Sequence, residues 1–398
     1  MSARAILPVI GLSWVLATAS SPGATRYVSP TGGQVSPYTE WSTAARRIQD
    51  AIDACSNGDR VILEIGTYYE CINLRNKDIE LVSRFEESGN PAHIEQTVVD
   101  GSFSNTVIII TNGQTAATRV SGFTVQRGWA KGVGPYEQRG GGIRAQRVGA
   151  QIENMIIRDC RSAVEGGGVY TEYGTPVLRN TLVSNNRTDS GGNGGGIRTS
   201  YGDPSFLNVS VVNNEAQAGG GVFLYHGNPY LRNCLIADNV ATGEGGGAMY
   251  FDGCSPEIVN CTIANNRAPG DGEGGGLNVS YMSHPRLVNS ILWGNTPQQV
   301  HFNADWFGMA ITFDYSDLQG GVESIVTLGK GPVNWSAGIS ENPSFAGAQD
   351  YRVSGDSPCV NAGVFQTWMS GDADLDGLPR IEACAVDMGA YEYHGETA

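Results

Sequence analysis

Six Gly-Gly-Gly triplets, beginning at Gly140, Gly166, Gly194, Gly219, Gly245 and Gly274, restrict the possible folds of this chain more than any other feature. Each leads into an apolar residue (Ile143, Val169, Ile197, Val222, Ala248, Leu277), at successive steps of 26, 28, 25, 26 and 29 residues. Units this short cannot each enclose a core, so the period predicts turns of one stacked solenoid.

The second half of each unit repeats too. Asn154, Asn180, Asn208, Asn233, Asn260 and Asn289 fall fourteen or fifteen residues after the triplets begin. Six residues further on stand Cys160, Asn186, Asn214, Asn239, Asn266 and Asn295, and Pro176, Pro204, Pro229, Pro256 and Pro285 precede five of the first set. After each triplet the side chains alternate, Val169 and Thr171 against Tyr170 and Glu172, then Val222 and Leu224 against Phe223 and Tyr225. Period two predicts strands, and glycine and proline clusters predict the turns between them. Asparagines stacked on successive coils can pass amide hydrogen bonds along the stack, so their expected role is structural. The fold class is all-β, a single-stranded right-handed parallel β-helix.

Met1 to Ala24 carries Arg4, an apolar run from Ile6 to Leu16 and a small-residue stretch at Ala17-Thr18-Ala19, the pattern of a secretory signal. The organisation read from the sequence is a signal at 1–24, the β-helix at 25–345 and a C-terminal capping region at 346–398. Ser42 to Cys55 places Ala44, Ile48, Ala51, Ile52 and Cys55 on one helical face, an amphipathic lid for the open N-terminal end of the solenoid. A net charge of -15, with lysine only at Lys77, Lys131 and Lys330, argues against nucleic acid and anionic membranes as partners. The expectation is a secreted or periplasmic monomer. Eight cysteines allow Cys234 with Cys261, Cys55 with Cys71 and Cys359 with Cys384 as pairs; a reduced, buried column is the alternative for the first.

Tyr27-Val28-Ser29-Pro30, Asn57-Gly58-Asp59, Gly66-Thr67-Tyr68 and the repeated coils resemble pectin-lyase-like right-handed parallel β-helix proteins. The coils are also similar to those of polymorphic outer-membrane proteins. Tyr315 to Gly321, Asn342-Pro343-Ser344-Phe345, Ser357-Pro358-Cys359 and Asp387 to Tyr393 resemble the terminal region of the bacterial choice-of-anchor Q group. The resemblance implies the fold. It leaves activity open among lyases, hydrolases, epimerases and noncatalytic surface proteins.

The alternation turns Arg144, Tyr170, Arg198, Phe223, Met249 and Asn278 outward, with Glu172, Tyr225 and Phe251 beside them and Tyr173, Tyr201, His226 and Tyr281 in the next bend. An aromatic stripe along a solenoid suits a chain-like glycan, so Arg144, Tyr170, Tyr173, Tyr201, Phe223 and Phe251 are the expected substrate contacts. The catalytic candidates are Arg198, Tyr225, His226 and Glu172. For β-elimination of a uronate, Arg198 would neutralise the carboxylate while Tyr225 or His226 moved protons. For hydrolysis the groove carboxylates Glu172 and Asp252 are three coils apart, about 14 Å, beyond either standard glycosidase spacing. A noncatalytic glycan-binding, adhesive or structural surface protein is the alternative. Residues 296–340, with Trp306 and Trp335, are long enough to fold back over the groove. Asp372, Asp374 and Asp376 before Gly377 match the first half of a calcium loop, making Ca2+ the candidate cofactor, although Ala383 stands where such a loop ends in glutamate.

Overall fold

The computed structural model describes residues 23–134, 136–189, 191–268, 274–382 and 384–395. The signal segment through residue 22 lies outside the described residues.

Parallel strands coil into a solenoid with three main faces. The first holds the strands that follow the glycine turns, among them Ile143–Gln146, Val169–Glu172, Ile197–Ser200, Val222–Gly227, Met249–Cys254, Leu277–Ser280 and Val300–Phe302. The second holds the strands that follow the prolines, such as Tyr230–Arg232 and Glu257–Val259, and the third those between the two asparagine positions, such as Leu235–Ala237 and Thr262–Ala264. All three faces send alternate side chains into one continuous apolar core.

Each turn has a residue-level cause. Gly140, Gly166, Gly194, Gly219, Gly246 and Gly274 all have positive φ, between 60° and 69°. At the next position a Cβ on Gly167 would lie 2.4 Å from the Gly195 carbonyl oxygen, so the coils approach too closely there for any side chain. The prolines keep their carbonyls in the ladder: Ser205 N donates to Pro176 O at 3.1 Å and Tyr230 N to Pro204 O at 3.1 Å.

The two asparagine columns do different things. Asn154, Asn180, Asn208, Asn233, Asn260 and Asn289 make the one-residue bend between second and third faces, with φ between 48° and 53° or at 55°; asparagine tolerates this left-handed conformation better than most residues. The other column is internal. Asn186, Asn214 and Asn239 each donate Nδ2 to Oδ1 of the asparagine one coil on, at 3.1, 3.0 and 2.9 Å, and Asn266 does the same to Asn295 at 2.9 Å. The same Oδ1 atoms also accept the backbone N-H of the preceding coil, as in Asn214 N to Asn239 Oδ1 at 2.9 Å. Cys160 begins this column, its N-H donating to Asn186, and Gln299 ends it by accepting from Asn295 Nδ2 at 2.7 Å.

The N-terminal end is covered by helix α1 (Ile48–Ala54), whose Ile48, Ala51 and Ile52 are buried. The helix is shorter than the apolar pattern from Ser42 predicts. Ala45 is extended instead and bridges Val28, with Ala45 N donating to Tyr27 O at 2.9 Å. Glu70 then caps the helix, accepting from the N-H groups of Ile48 (2.8 Å) and Gln49 (3.2 Å). Among the described residues no helix is long and apolar enough to cross a membrane.

Residues 296–340 do not fold back over the groove. They continue the solenoid through Val300–Phe302, Ile311–Asp314 and Val333–Ser336, each paired in parallel with the coil before. Residues beyond Phe345, expected as a terminal cap, run lengthwise along the bend: Asn289, Asn260 and Asn233 donate Nδ2 to the carbonyls of Val364 (2.8 Å), Asp387 (3.0 Å) and Ala373 (2.7 Å). All eight cysteines are free thiols. Cys234 and Cys261 do stack on neighbouring coils, but in-register parallel strands hold their Cβ atoms about 4.8 Å apart with parallel vectors, wider than a disulfide spans. Their thiols donate to the carbonyls of Arg232 and Val259, at 3.3 Å each.

Candidate functional site

The glycine turn that starts each first-face strand also folds the preceding segment over it. Outward-pointing therefore does not mean exposed. Tyr170 is fully buried, its hydroxyl accepting from Arg139 Nη1 at 3.0 Å. Arg198 is only 5% exposed: Nε bonds Glu165 at 3.3 Å and the guanidinium lies 4.2 Å from the Phe223 ring centroid. Burial pulls the Arg198 pKa down, opposed by Glu165. Phe223 in turn stacks on Tyr250 at 4.6 Å and packs with Ala218. Tyr170, Arg198, Phe223 and Tyr250 thus form a covered column.

One expected contact sits in the core. Val222 pairs with Met249, not Ala248, so Tyr250 takes the outward position and both Met249 and Phe251 point inward, fully buried. The cause is a register shift in the preceding segment, where Ala218 pairs with Gly245 although Ala216 pairs with Ala241. The inserted residues leave Gly245 (φ 91°) and Gly246 (φ 65°) both at positive φ and put Gly246 in the turn position that Gly219 and Gly274 hold on neighbouring coils, and a one-residue slip exchanges the faces of a strand.

The exposed aromatics occupy the bend after the strand. Tyr173, Tyr201, His226 and Tyr281 share a left-handed conformation, with φ of 49°, 52°, 47° and 34°. Tyr173 and Tyr201 stack at 5.1 Å, Tyr201 and His226 at 5.2 Å, and Tyr281 meets Trp306 edge-on at 4.8 Å. Between them, a Cβ on Gly253 would lie 2.6 Å from His226 Nδ1, so glycine there lets His226 and Tyr281 close to 5.9 Å. Arg147, exposed, extends the column by lying 5.4 Å over Tyr173. Tyr173 is 46% exposed, and Tyr201 and Trp306 are each 44% exposed.

Arg198, Tyr225 and His226 are brought together. Tyr225 lies 5.0 Å from the Arg198 guanidinium and 4.3 Å from the His226 ring, and its hydroxyl meets that of Tyr201 at 3.3 Å. That contact, with burial, pushes the Tyr225 pKa up to about 12. Asp252 pairs with Tyr225 on the adjacent strand; burial raises its pKa against the pull of His226 and Arg198. Glu172 does not join this group. It lies two strands from Tyr225, nearly buried, accepting from Gln146 Nε2 at 2.8 Å. Glu172 and Asp252 are three strands apart, as the register predicts for a poor glycosidase pair.

Two recesses flank the column. Arg144, Gln146, Arg147, Glu172 and Tyr136 line one of about 420 Å³. Glu244, Asp252, Asn303, Asp305 and Trp306 line another of about 500 Å³. Arg147 was missed by sequence reasoning. The available signal was its position one residue after Gln146, the bend site that Tyr173 and Tyr201 fill on later coils.

The three aspartates of the expected calcium loop serve other partners. Asp372 pairs with Arg232 at 2.7 Å. Asp374 accepts from the backbone N-H groups of Asp376 (3.0 Å), Leu378 (2.9 Å) and Glu392 (2.8 Å), and Asp376 faces Arg352 at 3.9 Å. Among the described residues no group of three His, Cys, Asp or Glu side chains is placed to hold a metal ion. Local backbone donors satisfy Asp374 in place of a cation.

Known proteins share this architecture at low sequence identity. The chain is similar in structure to pectate lyase Pel9A, with a TM-score of 0.50 and 14% identity over 93% of this chain and 96% of that one. XylC in complex with xylose (TM-score 0.45, 8% identity, 92% and 99% covered) and a pectin methylesterase from Aspergillus niger (TM-score 0.32, 12% identity, 88% and 97% covered) are more distant. No curated protein matches. The family described as "Right handed beta helix region" matches residues 84–291, just over half of the chain. With its coils, turns and registers in that form, the chain belongs to the right-handed β-helix family.

Proposed function

We propose that this protein binds a polysaccharide lengthwise along the exposed aromatic column. The observation that carries the reading is the run of contacts from Arg147 through Tyr173, Tyr201 and His226 to Tyr281 and Trp306, largely half-exposed and one coil apart except where Gly253 lets His226 and Tyr281 meet across two. The stacked rings present edges and hydroxyls, and a chain ligand contacts several in series, adding weak contacts into useful affinity. Affinity electrophoresis against a polysaccharide panel tests this. Retardation by at least one polysaccharide, lost in Tyr201→Ala, is expected; unchanged retardation of the variant removes the column as the binding surface.

A second reading, turnover by β-elimination at the same place, is supported by the meeting of Arg198, Tyr225, His226 and Asp252. Tyr225, with its pKa near 12, stays protonated at neutral pH and suits proton donation to a leaving oxygen, with His226 as base. Arg198, held by Glu165, is the cation beside Tyr225, while the exposed Arg147, three coils away, suits a carboxylate further along the same chain ligand. Appearance of unsaturated uronate, abolished in Tyr225→Phe, is the assay. Binding without product leaves the noncatalytic reading. The leader-like Met1 to Ala24 supports a site of action outside the cytoplasm, and N-terminal sequencing of exported protein lacking this segment is the check.

A further inference from the structure

A third recess lies on a different corner, where the third face ends. Phe103, Trp129, Asp159, Cys160, Arg161, Asn185 and Arg187 enclose about 500 Å³. Asp159 and Asn185 occupy the left-handed corner position of adjacent coils, both with φ of 55°, and both are exposed. The same corner carries a second Asp-Asn pair higher up, Asp238 (φ 57°) and Asn265 (φ 55°). There the pair is occupied. The Tyr351 hydroxyl donates to Asp238 Oδ2 at 2.8 Å and accepts from Asn265 Nδ2 at 3.1 Å, with the ring held edge-on against Phe345 at 5.4 Å.

The chain therefore shows what its own corner pair holds: a hydroxyl on a six-membered ring, steadied by an aromatic neighbour. At Asp159 and Asn185 the aromatic neighbours are present, Phe103 at 45% exposure and Trp129, but among the described residues no ring fills the place. One charged group lining the recess is unengaged, and one polar atom of a wall residue is sealed from solvent. The exposed Arg187 guanidinium has no ion pair or hydrogen bond among the described residues. Trp129 Nε1 is buried without a hydrogen-bond partner. Nearby charges are spent: Arg161 pairs with Asp189 and stacks on Trp129 at 4.7 Å, Lys131 covers Trp129 at 4.0 Å, and Asp159 has only a 3.9 Å contact to Arg158. An unpaired arginine is the group to hold a carboxylate.

We propose that this recess binds a hydroxylated six-membered ring bearing a carboxylate, the hydroxyl between Asp159 and Asn185 and the carboxylate on Arg187. Phenolic acids and sugar acids share that chemistry. The site is separate from the aromatic column and does not depend on its role.

Titration calorimetry of the full chain with 4-hydroxybenzoate and with glucuronate tests it, with benzoate and glucose as controls. At least one acid should bind saturably in the millimolar range or below, with each control weaker by roughly tenfold, since each lacks one of the two polar contacts. Binding of 4-hydroxybenzoate alone identifies phenolic acids, and of glucuronate alone sugar acids; either supports the site. Arg187→Ala and Asp159→Ala should each weaken the bound acid by roughly tenfold without moving the unfolding temperature, because both side chains are exposed. No saturable binding of either acid, equal binding of the controls, or unchanged affinity in both variants overturns the proposal.

Discussion

Two columns run along the repeated middle coils of the solenoid and obey opposite rules. In the internal asparagine column the residue barely changes from Asn186 to Asn295, because each amide must both receive from one neighbour and give to the next, out of water. In the aromatic column the residue changes at almost every coil, from Arg147 to Tyr173, Tyr201, His226, Gly253 and Tyr281, while the left-handed or bend geometry stays. The difference separates what the fold requires from what it permits. Uniformity marks the column that carries stability, and variety marks the one we propose as the ligand surface.

The comparison can be broken most forcefully where register decides which side a residue falls on. Phe251→Ala should destabilise by about 3–5 kcal/mol in denaturant unfolding, as a core phenylalanine does. A loss under about 1 kcal/mol would return Phe251 to the surface and undo the slip at Gly246. Next, Asn239→Leu should cost about 2–4 kcal/mol, because it strands the Asn214 N-H inside the core and takes a donor from the Val211 carbonyl and one of two from the Asn266 oxygen. Thermal unfolding of this variant at the wild-type temperature would sink the ladder.

A smaller effect tests what happens where the C-terminal segment replaces the repeat. Asp317 is buried beneath Cys359, and burial raises its pKa to about 7 despite hydrogen bonds from the Cys359 thiol and the Glu341 N-H. The folded state thus holds a proton that the unfolded chain releases near pH 4. Its contribution is complete below that pH and disappears as pH rises through about 7. Asp317→Asn should flatten this decline by about 2 to 4 kcal/mol in pH-dependent unfolding, the upper value being the full worth of a pKa raised from about 4 to about 7, and an unchanged profile would assign the decline elsewhere. Smallest in stability is Tyr201→Ala, with less than about 1 kcal/mol lost, since its ring is half-exposed. A larger loss would make the aromatic column a structural device like its asparagine counterpart.

The triplets made the coil and most of its register legible, because glycine at a left-handed turn and asparagine in a ladder are needed at fixed places. They misled at Gly245, where an insertion before the turn places an extra glycine and only the pairing of Val222 with Met249 shows which one turns. The site was legible in part. Alternation shows that Arg198 and Tyr170 point outward, yet their covering by Glu165 and Arg139 depends on how sharply the chain turns at the following glycines. The aspartates at 372, 374 and 376 have ligand spacing, but their partners, Arg232 and the Glu392 N-H among them, lie far away in sequence.

The internal asparagine column has a direction. Every Oδ1 accepts from the coil before, Cys160 opens the series with a side chain that asks nothing of the coil beneath, and Gln299 closes it, passing the last bond to Gln319 at 2.9 Å. Such a sequence of bonds has a start sign, a stop sign and interchangeable words between them. Whole coils can be duplicated or deleted between Asn186 and Asn295 without rewriting either end, whereas a fraction of a coil breaks the sentence. The length of the solenoid, and of the surface proposed to bind a polysaccharide, is therefore open to evolution in steps of one coil, about 4.8 Å at a time.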